Sequence, residues 1–446
     1  MFNRFLFSKI DNSALVLFRI FFGILISLEC YGAIITGWVK TNLVTPDFTF
    51  TFIGFEWLRN LLGPGMYVYF FIMGSLGVLI ALGYRYRLSM ISFTLMWTGA
   101  YLMQKTSYNN HYYLLILISG IMSFLPAQNS ASLDARINPG IRREWMYSYV
   151  KWLVVLQLFI VYTYASIAKW YQDWFDFSII EILMKGRSHY PIIGEWLQLE
   201  PVHQIIGVSG ILFDLLVVPA LLWKPTRNLA FVCSIFFHLF NSIVFHIGIF
   251  PYLSLAFIVF FYPSETIRRI FLRKKNAYSG NEIGKPLYRK PLLLISALYF
   301  LIQLLLPLRH HWIPGDVLWT EEGHRLSWRM MLRTRLGQVT FTVVNKKTGE
   351  RELVDQREYL TPKQRQKVAA YPDFIWQFAQ YLKETYAKEG KEIAVYADSR
   401  VRVNKHDFAP LIDLNVDLAQ EQWRPLQHHE WIMPSPWSAK GGEVNQ

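Results

Sequence analysis

Long apolar stretches recur along the first two thirds of the chain. A helix that crosses a bilayer needs about 20 predominantly apolar residues, and most of these stretches approach or reach that length. The pattern predicts about nine spans, at residues 13–38, 66–83, 88–104, 110–126, 149–169, 203–223, 228–247, 249–262 and 291–308. We therefore predict an α-helical polytopic membrane domain over residues 1–308.

The pattern changes after Pro307. Residues 338–355 alternate between apolar and polar side chains around a Lys-Thr-Gly turn, which predicts a β-hairpin. Residues 361–389 have helical periodicity and begin with a Thr-Pro cap, and residues 393–403 have the pattern of a strand. We predict that residues 309–446 form a soluble, extramembrane α+β domain.

Composition agrees with a membrane protein, because 53% of the 446 residues are hydrophobic and only 17% are charged. The net charge of +13 comes with a marked bias between loops. Alternate loops hold seventeen lysines and arginines, whereas the opposite loops hold six. The positive-inside rule then predicts a cytoplasmic N-terminus and an external C-terminal domain. The basic loops fit anionic lipid, so we expect no nucleic-acid partner.

Two further features limit the classes of protein. Cys30 and Cys233 both fall inside apolar stretches, without the spacing of a metal site or a disulfide framework, so we predict no metal. Residues 1–38 lack a clear small-residue cleavage site. We expect this segment to be a retained first span and not a signal peptide.

Lys169 is the first candidate for chemistry. It follows an apolar stretch in which Lys151 is the only charge between residues 150 and 168. On a helix, its neighbours one and two turns back are Ala165, Ser166 and Tyr162, a small and polar face that suits a protein interior. The alternative is that Lys169 extends to the membrane interface, as lysines at helix ends commonly do.

Other polar residues are predicted in the same outer half of the bilayer. Asn110 and His111 open the fourth span, and His238 and Asn241 lie on one face of the seventh. Ionisable groups inside a membrane are costly and indicate function by default, although His238 alone is equally well explained by a hydrogen bond between helices. Together these residues are typical of an enzyme whose lipidic reagent arrives from the membrane.

Five motifs in order carry a resemblance to a known family. They are Lys105-Thr106-Ser107 with Asn109-Asn110-His111; Lys169 with Asp173-Trp174; Phe237-His238, Asn241-Ser242, Phe245, Ile247-Gly248 and Phe250; Leu306-Pro307 with Ser327-Trp328-Arg329-Met330-Met331; and Ser435-Pro436-Trp437. On this membrane layout, the chain resembles the vitamin K-dependent gamma-carboxylase family. It departs from the animal enzymes by ending near Trp437 and by having Ala168 where they have a second lysine. The resemblance therefore implies a short bacterial-type homologue in the inner membrane, with its C-terminal domain in the periplasm.

The resemblance also implies a reaction. In that family a neutral lysine deprotonates vitamin K hydroquinone, and oxygen then yields the epoxide by way of a strongly basic alkoxide. This base removes a gamma proton from a peptide glutamate, to which carbon dioxide adds. The implied catalytic residues are Lys169 and its helper His111, and the implied substrate-binding residues are Asn110, His238, Asn241, Trp328, Met330 and Met331. The implied partners are membrane lipid, the reduced naphthoquinone and a glutamate-containing peptide or protein.

Three alternatives stay open at this point. The protein is a quinol epoxidase that acts on a different peptide or on none; or, from another class, a multi-pass transporter; or a lipid-binding scaffold. The sequence lacks the paired halves with similar broken helices that many transporters have. An arginine at position 169 would distinguish an enzyme from a scaffold. A scaffold would keep its role with arginine there, whereas an enzyme would lose its base.

Overall fold

The computed structural model describes residues 2–280 and 282–437. Helices dominate up to residue 320, and the main sheet follows them. The helices are α1 (Phe2–Phe7), α2 (Ser13–Ile35), α3 (Gly65–Leu82), α4 (Tyr86–Met103), α5 (Asn110–Phe124), α6 (Leu133–Ile137), α7 (Tyr149–Ile167), α8 (Gln172–Phe175), α9 (Ser178–Lys185), α10 (Glu200–Leu222), α11 (Arg227–Phe245), α12 (Phe250–Phe257), α13 (Ser264–Ile270), α14 (Arg289–Leu305), α15 (Val317–Thr320), α16 (Pro362–Val368) and α17 (Pro372–Lys388). The strands are β1 (Lys9–Asp11), β2 (Trp145–Tyr147), β3 (Arg335–Asn345), β4 (Arg351–Leu353), β5 (Ile393–Val403) and β6 (Ala409–Pro410).

A helix lies over each of the nine predicted spans, but the helices are not equally long or apolar. Within the described residues, six are long and apolar enough to cross a membrane: Ser13–Ile35, Gly65–Leu82, Tyr149–Ile167, Glu200–Leu222, Arg227–Phe245 and Arg289–His311. Two shorter apolar helices are Asn110–Phe124 and Phe250–Phe261. The fold is that of a helical membrane protein with a C-terminal region containing a sheet, as predicted, whereas the count of about nine spans is not confirmed.

The chain divides into two compact units that do not follow chain order. The helical unit consists of the chain up to Thr45, Thr51–Thr163 and Leu212–Gln303. The sheet unit consists of Pro46–Phe50, Tyr164–Ile211 and the chain from Leu304 onward. The predicted domains 1–308 and 309–446 therefore stay a prediction, and each unit is described by itself.

Small residues allow α2 and α3 to pack closely in the helical unit. A Cβ atom on Gly23 would lie 2.4 Å from the backbone nitrogen of Ala81, and one on Gly77 would lie 2.4 Å from Ser27 Oγ. The Ser27 hydroxyl also donates across the contact to the carbonyl oxygen of Gly74, at 2.9 Å. Membrane helices associate in this way because small side chains let their backbones approach.

An antiparallel sheet in the order β4-β3-β5-β6 is the framework of the sheet unit. β3 and β4 form the predicted hairpin, and β5 covers the predicted strand. β3 pairs with β5 along its whole length, from Arg335 opposite Val403 to Asn345 opposite Ile393. Both strand predictions are confirmed.

The single helix predicted over residues 361–389 is wrong, because the structure has two helices there. α16 begins at the predicted cap, where Thr361 forms a capping box. Pro372 begins α17, as expected of a residue that lacks a backbone N–H and fits only a first turn. At the break, a Cβ atom on Gly337 would lie 1.8 Å from the Ala369 carbonyl oxygen, so this corner packs directly on β3.

The core of the sheet unit lies between α17 and the sheet. Its buried side chains include Phe374, Ile375, Phe378 and Leu382 from the helix and Phe341, Val343, Val395, Ala397 and Val401 from the strands. Phe48 and Phe50 join this core from the segment between α2 and α3. The Gln364 amide fixes that segment by donating to the Phe48 carbonyl oxygen at 2.6 Å.

Candidate functional site

The helical unit contains four predicted site residues: Asn110, His111, His238 and Asn241. His111 lies in the first turn of α5. Asn109 caps this helix, because its side-chain oxygen accepts a hydrogen bond from the backbone N–H of Tyr112 at 2.8 Å. The cap fixes where α5 begins and so where the imidazole of His111 projects.

The His111 ring stacks on the ring of Phe250. The ring centroids are 3.7 Å apart and the planes are 17° from parallel. His111 Nδ1 is buried and forms no hydrogen bond within the described residues. Buried polar atoms nearly always have a partner, so this nitrogen is a candidate contact for a ligand.

His238 approaches the same phenylalanine at its edge. The centroids of His238 and Phe250 are 6.1 Å apart with the rings nearly perpendicular. Nε2 of His238 lies 3.1 Å from the hydroxyl of Tyr162, so at least one imidazole nitrogen has a partner on another helix. Phe250 therefore connects the two histidines, although the sequence motif gave it no role.

The two asparagines form hydrogen bonds close to their own positions. The Asn110 side-chain oxygen accepts from the hydroxyl of Tyr108 at 2.8 Å. The Asn241 amide donates to the carbonyl of Phe237, one turn earlier on α11, at 2.8 Å. These bonds orient both amides within the helical unit.

Glu29 is a functional candidate that the sequence reasoning missed. Its carboxylate accepts from the Tyr112 hydroxyl at 2.6 Å and also from the backbone N–H of Ile249. Tyr112 follows His111 and Ile249 precedes Phe250, so one carboxylate holds a neighbour of each stacked ring. The signal was available, because Glu29 is the only acidic residue on α2 and acids within a span indicate function by default.

Lys169 lies in the sheet unit, two residues after the end of α7. The residue is only 6% exposed. Its Nζ donates to the Ala165 carbonyl oxygen at 2.8 Å and lies 5.3 Å from the ring centroid of Trp174. A Cβ atom on Gly210 of α10 would lie 3.9 Å from Lys169 Cε. The side chain is therefore turned back onto the end of α7 and covered by neighbours.

The segment after Lys169 is hydrogen-bonded to two other parts of the sheet unit. The Tyr171 hydroxyl donates to the carbonyl oxygen of Leu332. The Asn404 amide donates to the buried carboxylate of Asp173 at 2.7 Å. The first bond connects the Lys169 segment with the end of the loop that carries Trp328, Met330 and Met331, and the second connects it with the residue that follows β5.

That loop, residues 326–331, has an unusual backbone. Leu326, Trp328 and Met331 have φ angles of 59°, 57° and 56°, in the left-handed region that residues other than glycine rarely adopt. Each such residue costs on the order of 1–3 kcal/mol, and such residues cluster at functional sites. The Arg309 guanidinium supports the loop by donating to the Ser327 hydroxyl at 3.0 Å.

The predicted substrate-binding residues on this loop differ in exposure. Trp328 is fully buried. Met330 and Met331 are half-buried. The methionine side chains are therefore accessible for contact with a ligand, whereas the Trp328 ring packs inside the unit.

Charged groups surround the loop. Arg333 and Arg335 both pair with the buried Glu321, at 3.5 Å between Arg335 Nη1 and Glu321 Oε1. Burial would raise the pKa of Glu321, but the two guanidinium groups hold it below its ordinary value. Burial and the nearby arginines lower the pKa of His324 well below its usual range. His324 is thus a neutral imidazole in cationic surroundings.

The eight predicted site residues fall into two groups. Asn110, His111, His238 and Asn241 lie in the helical unit, and Lys169, Trp328, Met330 and Met331 lie in the sheet unit. The roles of all eight residues stay predictions. Among the described residues, no three His, Cys, Asp or Glu side chains are arranged to hold a metal ion.

Comparison with known proteins identifies the family. The HTTM domain matches residues 7–265, more than half of the chain. The lumenal domain of vitamin K-dependent gamma-carboxylase matches residues 288–437. No solved structure matches the chain. The two domain matches follow each other in the order that the motifs predict, and the chain therefore belongs to the vitamin K-dependent gamma-carboxylase family.

Proposed function

We propose that this protein is a membrane enzyme that oxygenates a reduced naphthoquinone, of the vitamin K hydroquinone type, to its epoxide and couples this reaction to carboxylation of peptide glutamate. Lys169 is the initiating base and His111 is its helper. The other substrates are oxygen, carbon dioxide and a glutamate-containing peptide or protein. Membership of the gamma-carboxylase family supports the proposal.

The observation that carries the proposal is the burial of Lys169. A lysine that only anchors a helix extends its ammonium group towards water. The amine of Lys169 instead contacts the Ala165 carbonyl oxygen and the Trp174 ring. A base must reach its neutral form, and surroundings of low dielectric constant disfavour an ammonium ion relative to an amine. The enclosed position of this amine therefore supports the role of a base over that of an interface anchor.

The surroundings of His111 suit a partner for a quinol oxygen. The face of the imidazole is covered by Phe250, so a ligand can reach the ring at its edge. Nδ1 is buried without a hydrogen bond in the described part of the chain, and leaving such an atom unsatisfied costs about 1–3 kcal/mol. A quinol hydroxyl bound there would supply the bond and orient the oxygen for proton transfer.

The other proposed binding residues provide both polar and apolar contacts. The half-buried thioethers of Met330 and Met331 are flexible and polarisable, which suits contact with an aromatic ring. Asn110, His238, Asn241 and Trp328 complete the proposed substrate-binding set.

We place the protein in the bacterial inner membrane, with a cytoplasmic N-terminus and a periplasmic C-terminal domain. The loop bias of seventeen basic residues to six supports this orientation. A reporter enzyme fused after Gln446 should be active only when it folds in the periplasm. Activity of a reporter that folds only in the cytoplasm would contradict the orientation.

The proposal is tested by incubating the purified protein with reduced naphthoquinone, oxygen, labelled bicarbonate and a glutamate-rich peptide. Mass spectrometry should detect both the epoxide and the carboxylated peptide. Epoxide without carboxylated peptide would favour the alternative of a quinol epoxidase with another substrate or none. Absence of epoxide from a folded, quinol-binding protein would contradict the proposed function.

The variant Lys169→Arg tests the assigned base. Arginine keeps the charge and the hydrogen-bond donors but does not deprotonate in proteins. We expect both products to fall by about 10²–10⁴-fold, the usual contribution of a general base. The matched control is Lys185→Arg, at an exposed lysine in the last turn of α9, which should keep wild-type yields.

A further inference from the structure

The helical unit contains an apolar cavity that none of the predicted site residues lines. Its volume is about 680 Å³, within the range of roughly 300–1,000 Å³ typical of ligand sites. Its walls come from α2, α11, α12 with the turn that follows it, and α13, and include Leu17, Leu25, Ile235, Val259 and Ile267. The lining is almost wholly apolar, so the cavity suits a hydrocarbon chain.

The cavity extends along the helices. Leu17 and Leu25, both on its wall, are eight residues apart on α2, which corresponds to about 12 Å at 1.5 Å per residue. α13, whose Arg268 lies beside Asp11 just before α2 begins, lines one end through Ile267 and Ile270. An elongated apolar cavity that ends at a short helix matches an acyl chain that lies parallel to the membrane helices.

Basic residues border the same end of the cavity, and some of them form ion pairs within the protein. Lys275 Nζ lies 3.4 Å from the Asp11 carboxylate and 3.1 Å from that of Glu144. Arg268 lies 3.6 Å from Asp11. These two cations stabilise the fold by joining α13 and the segment after it to β1 and to the residue that precedes β2.

Three other cations of this segment point outwards. Arg269, Arg273 and Lys274 are exposed on or just after α13, and the exposed acid on that helix is Glu265. Ile270 and Phe271, which line the cavity, are themselves more than half exposed beside these cations. The apolar wall of the cavity and the exposed positive charges therefore lie side by side at one opening of the cavity, which is its mouth.

We propose that this cavity binds one anionic phospholipid, with an acyl chain inside and the phosphate at Arg269, Arg273 and Lys274. Basic clusters next to membrane helices attract anionic headgroups, and the apolar cavity adds a place for the chain. The charge at the mouth distinguishes this occupant from a neutral lipid or a quinone tail. The site does not depend on the proposed enzymatic function.

The first test compares two lipid headgroups. The full-length protein is exchanged into micelles that contain phosphatidylglycerol or phosphatidylcholine with the same acyl chains, and retained lipid is counted by native mass spectrometry. We expect one retained phosphatidylglycerol and at least fivefold less phosphatidylcholine, about the effect of a single phosphate–cation contact. Equal retention of the two lipids would overturn the proposal.

The second test separates the chain from the headgroup. Val259→Trp fills the cavity and should abolish retention, whereas Val78→Trp, at an exposed position on α3, should not. The triple variant Arg269→Gln, Arg273→Gln and Lys274→Gln changes only exposed side chains and should weaken phosphatidylglycerol retention by roughly fivefold for each cation. The control Lys285→Gln with Lys290→Gln should leave retention unchanged.

Retention of phosphatidylglycerol by these variants shows whether the lipid binds at this cavity. Wild-type retention of phosphatidylglycerol by Val259→Trp, or by the triple variant, would overturn the site. A naphthoquinone with a prenyl tail is then added to the wild-type protein in phosphatidylglycerol micelles. Displacement of the retained lipid, one molecule for one, would assign the cavity to the quinone tail and overturn the lipid proposal.

Discussion

In the helical unit, His111 and His238 meet the ring of Phe250, and a few hydrogen bonds, accepted by Glu29 or shared with Tyr162, hold their surroundings. In the sheet unit, by contrast, arginines bound to a carboxylate, a hydroxyl and a carbonyl oxygen surround the loop at residues 326–331. The first arrangement depends on individual hydrogen bonds among rings, and the second on a network of charges.

This difference indicates which kind of substitution should destabilise each unit most. A buried charge network fails when one member is removed, because the remaining charges lose their compensation. Loss of an isolated hydrogen bond destabilises only its own surroundings. The free energy lost is that of leaving the donor or acceptor unsatisfied. Hydrogen–deuterium exchange, read separately for peptides of each unit, measures that contrast.

The largest expected effect follows from Glu321→Gln. This change leaves Arg333 and Arg335 without their shared carboxylate, and breaking a buried pair typically costs about 3–5 kcal/mol. The opening free energy of amides in β3 and β5 should fall by that amount, with little change in α5. The control Glu350→Gln, at the exposed turn of the hairpin, should stay within about 0.5 kcal/mol of wild type. Unchanged protection in Glu321→Gln would show that the network does not hold this unit.

A smaller effect is expected from Glu29→Ala. The hydroxyl of Tyr112 and the N–H of Ile249 would lose their acceptor, at about 1–3 kcal/mol for each group left buried and unsatisfied. Protection should fall at the start of α5 and around Phe250 and not in the sheet unit. Glu29→Gln should be milder because an amide oxygen still accepts. Leu28→Ala, at the exposed neighbouring residue, is the control. Loss of protection in both units alike would contradict the local role of Glu29.

The third effect depends on pH. Burial and nearby arginines keep His324 neutral in the folded protein, whereas an unfolded histidine becomes protonated below about pH 6.5. The unfolded state then binds more protons, so stability of the sheet unit should fall as pH decreases below 6.5, by up to about 1.4 kcal/mol per pH unit. His324→Gln cannot titrate and should therefore reduce this slope between pH 6.5 and 5, above the range in which Glu321 is protonated. An identical slope in both proteins would assign the dependence to another group.

The sequence predicts the regular elements well in both units, for two different physical reasons. In a bilayer each spanning backbone must satisfy its own hydrogen bonds, so apolar stretches such as 203–223 become helices. In the sheet unit, alternation of buried and exposed side chains predicts β5 because its two faces meet different surroundings.

Contacts distant in sequence explain what could not be predicted. The insertion of Phe48 and Phe50 into the core of the sheet unit has no local signal. The left-handed conformations of Trp328 and Met331 depend on surroundings such as the Arg309 contact, because their residue types disfavour them. The partners of Glu29 could not be predicted either, because they are distant from it in sequence. Its position on a helix with no other acidic residue was nevertheless a sign that it is unusual.

The central claim, that Lys169 acts as a base, is tested most directly by rescue of Lys169→Ala with small primary amines. Alanine removes the amine and leaves a space beside Trp174 and Gly210. We predict that added amines restore epoxide formation in Lys169→Ala and not in Lys169→Arg, where the guanidinium fills the space. Rescue should increase as pH rises through the pKa of the added amine, because only the unprotonated amine accepts a proton. Wild-type epoxide yield from Lys169→Arg, or from Lys169→Ala without added amine, would contradict the claim.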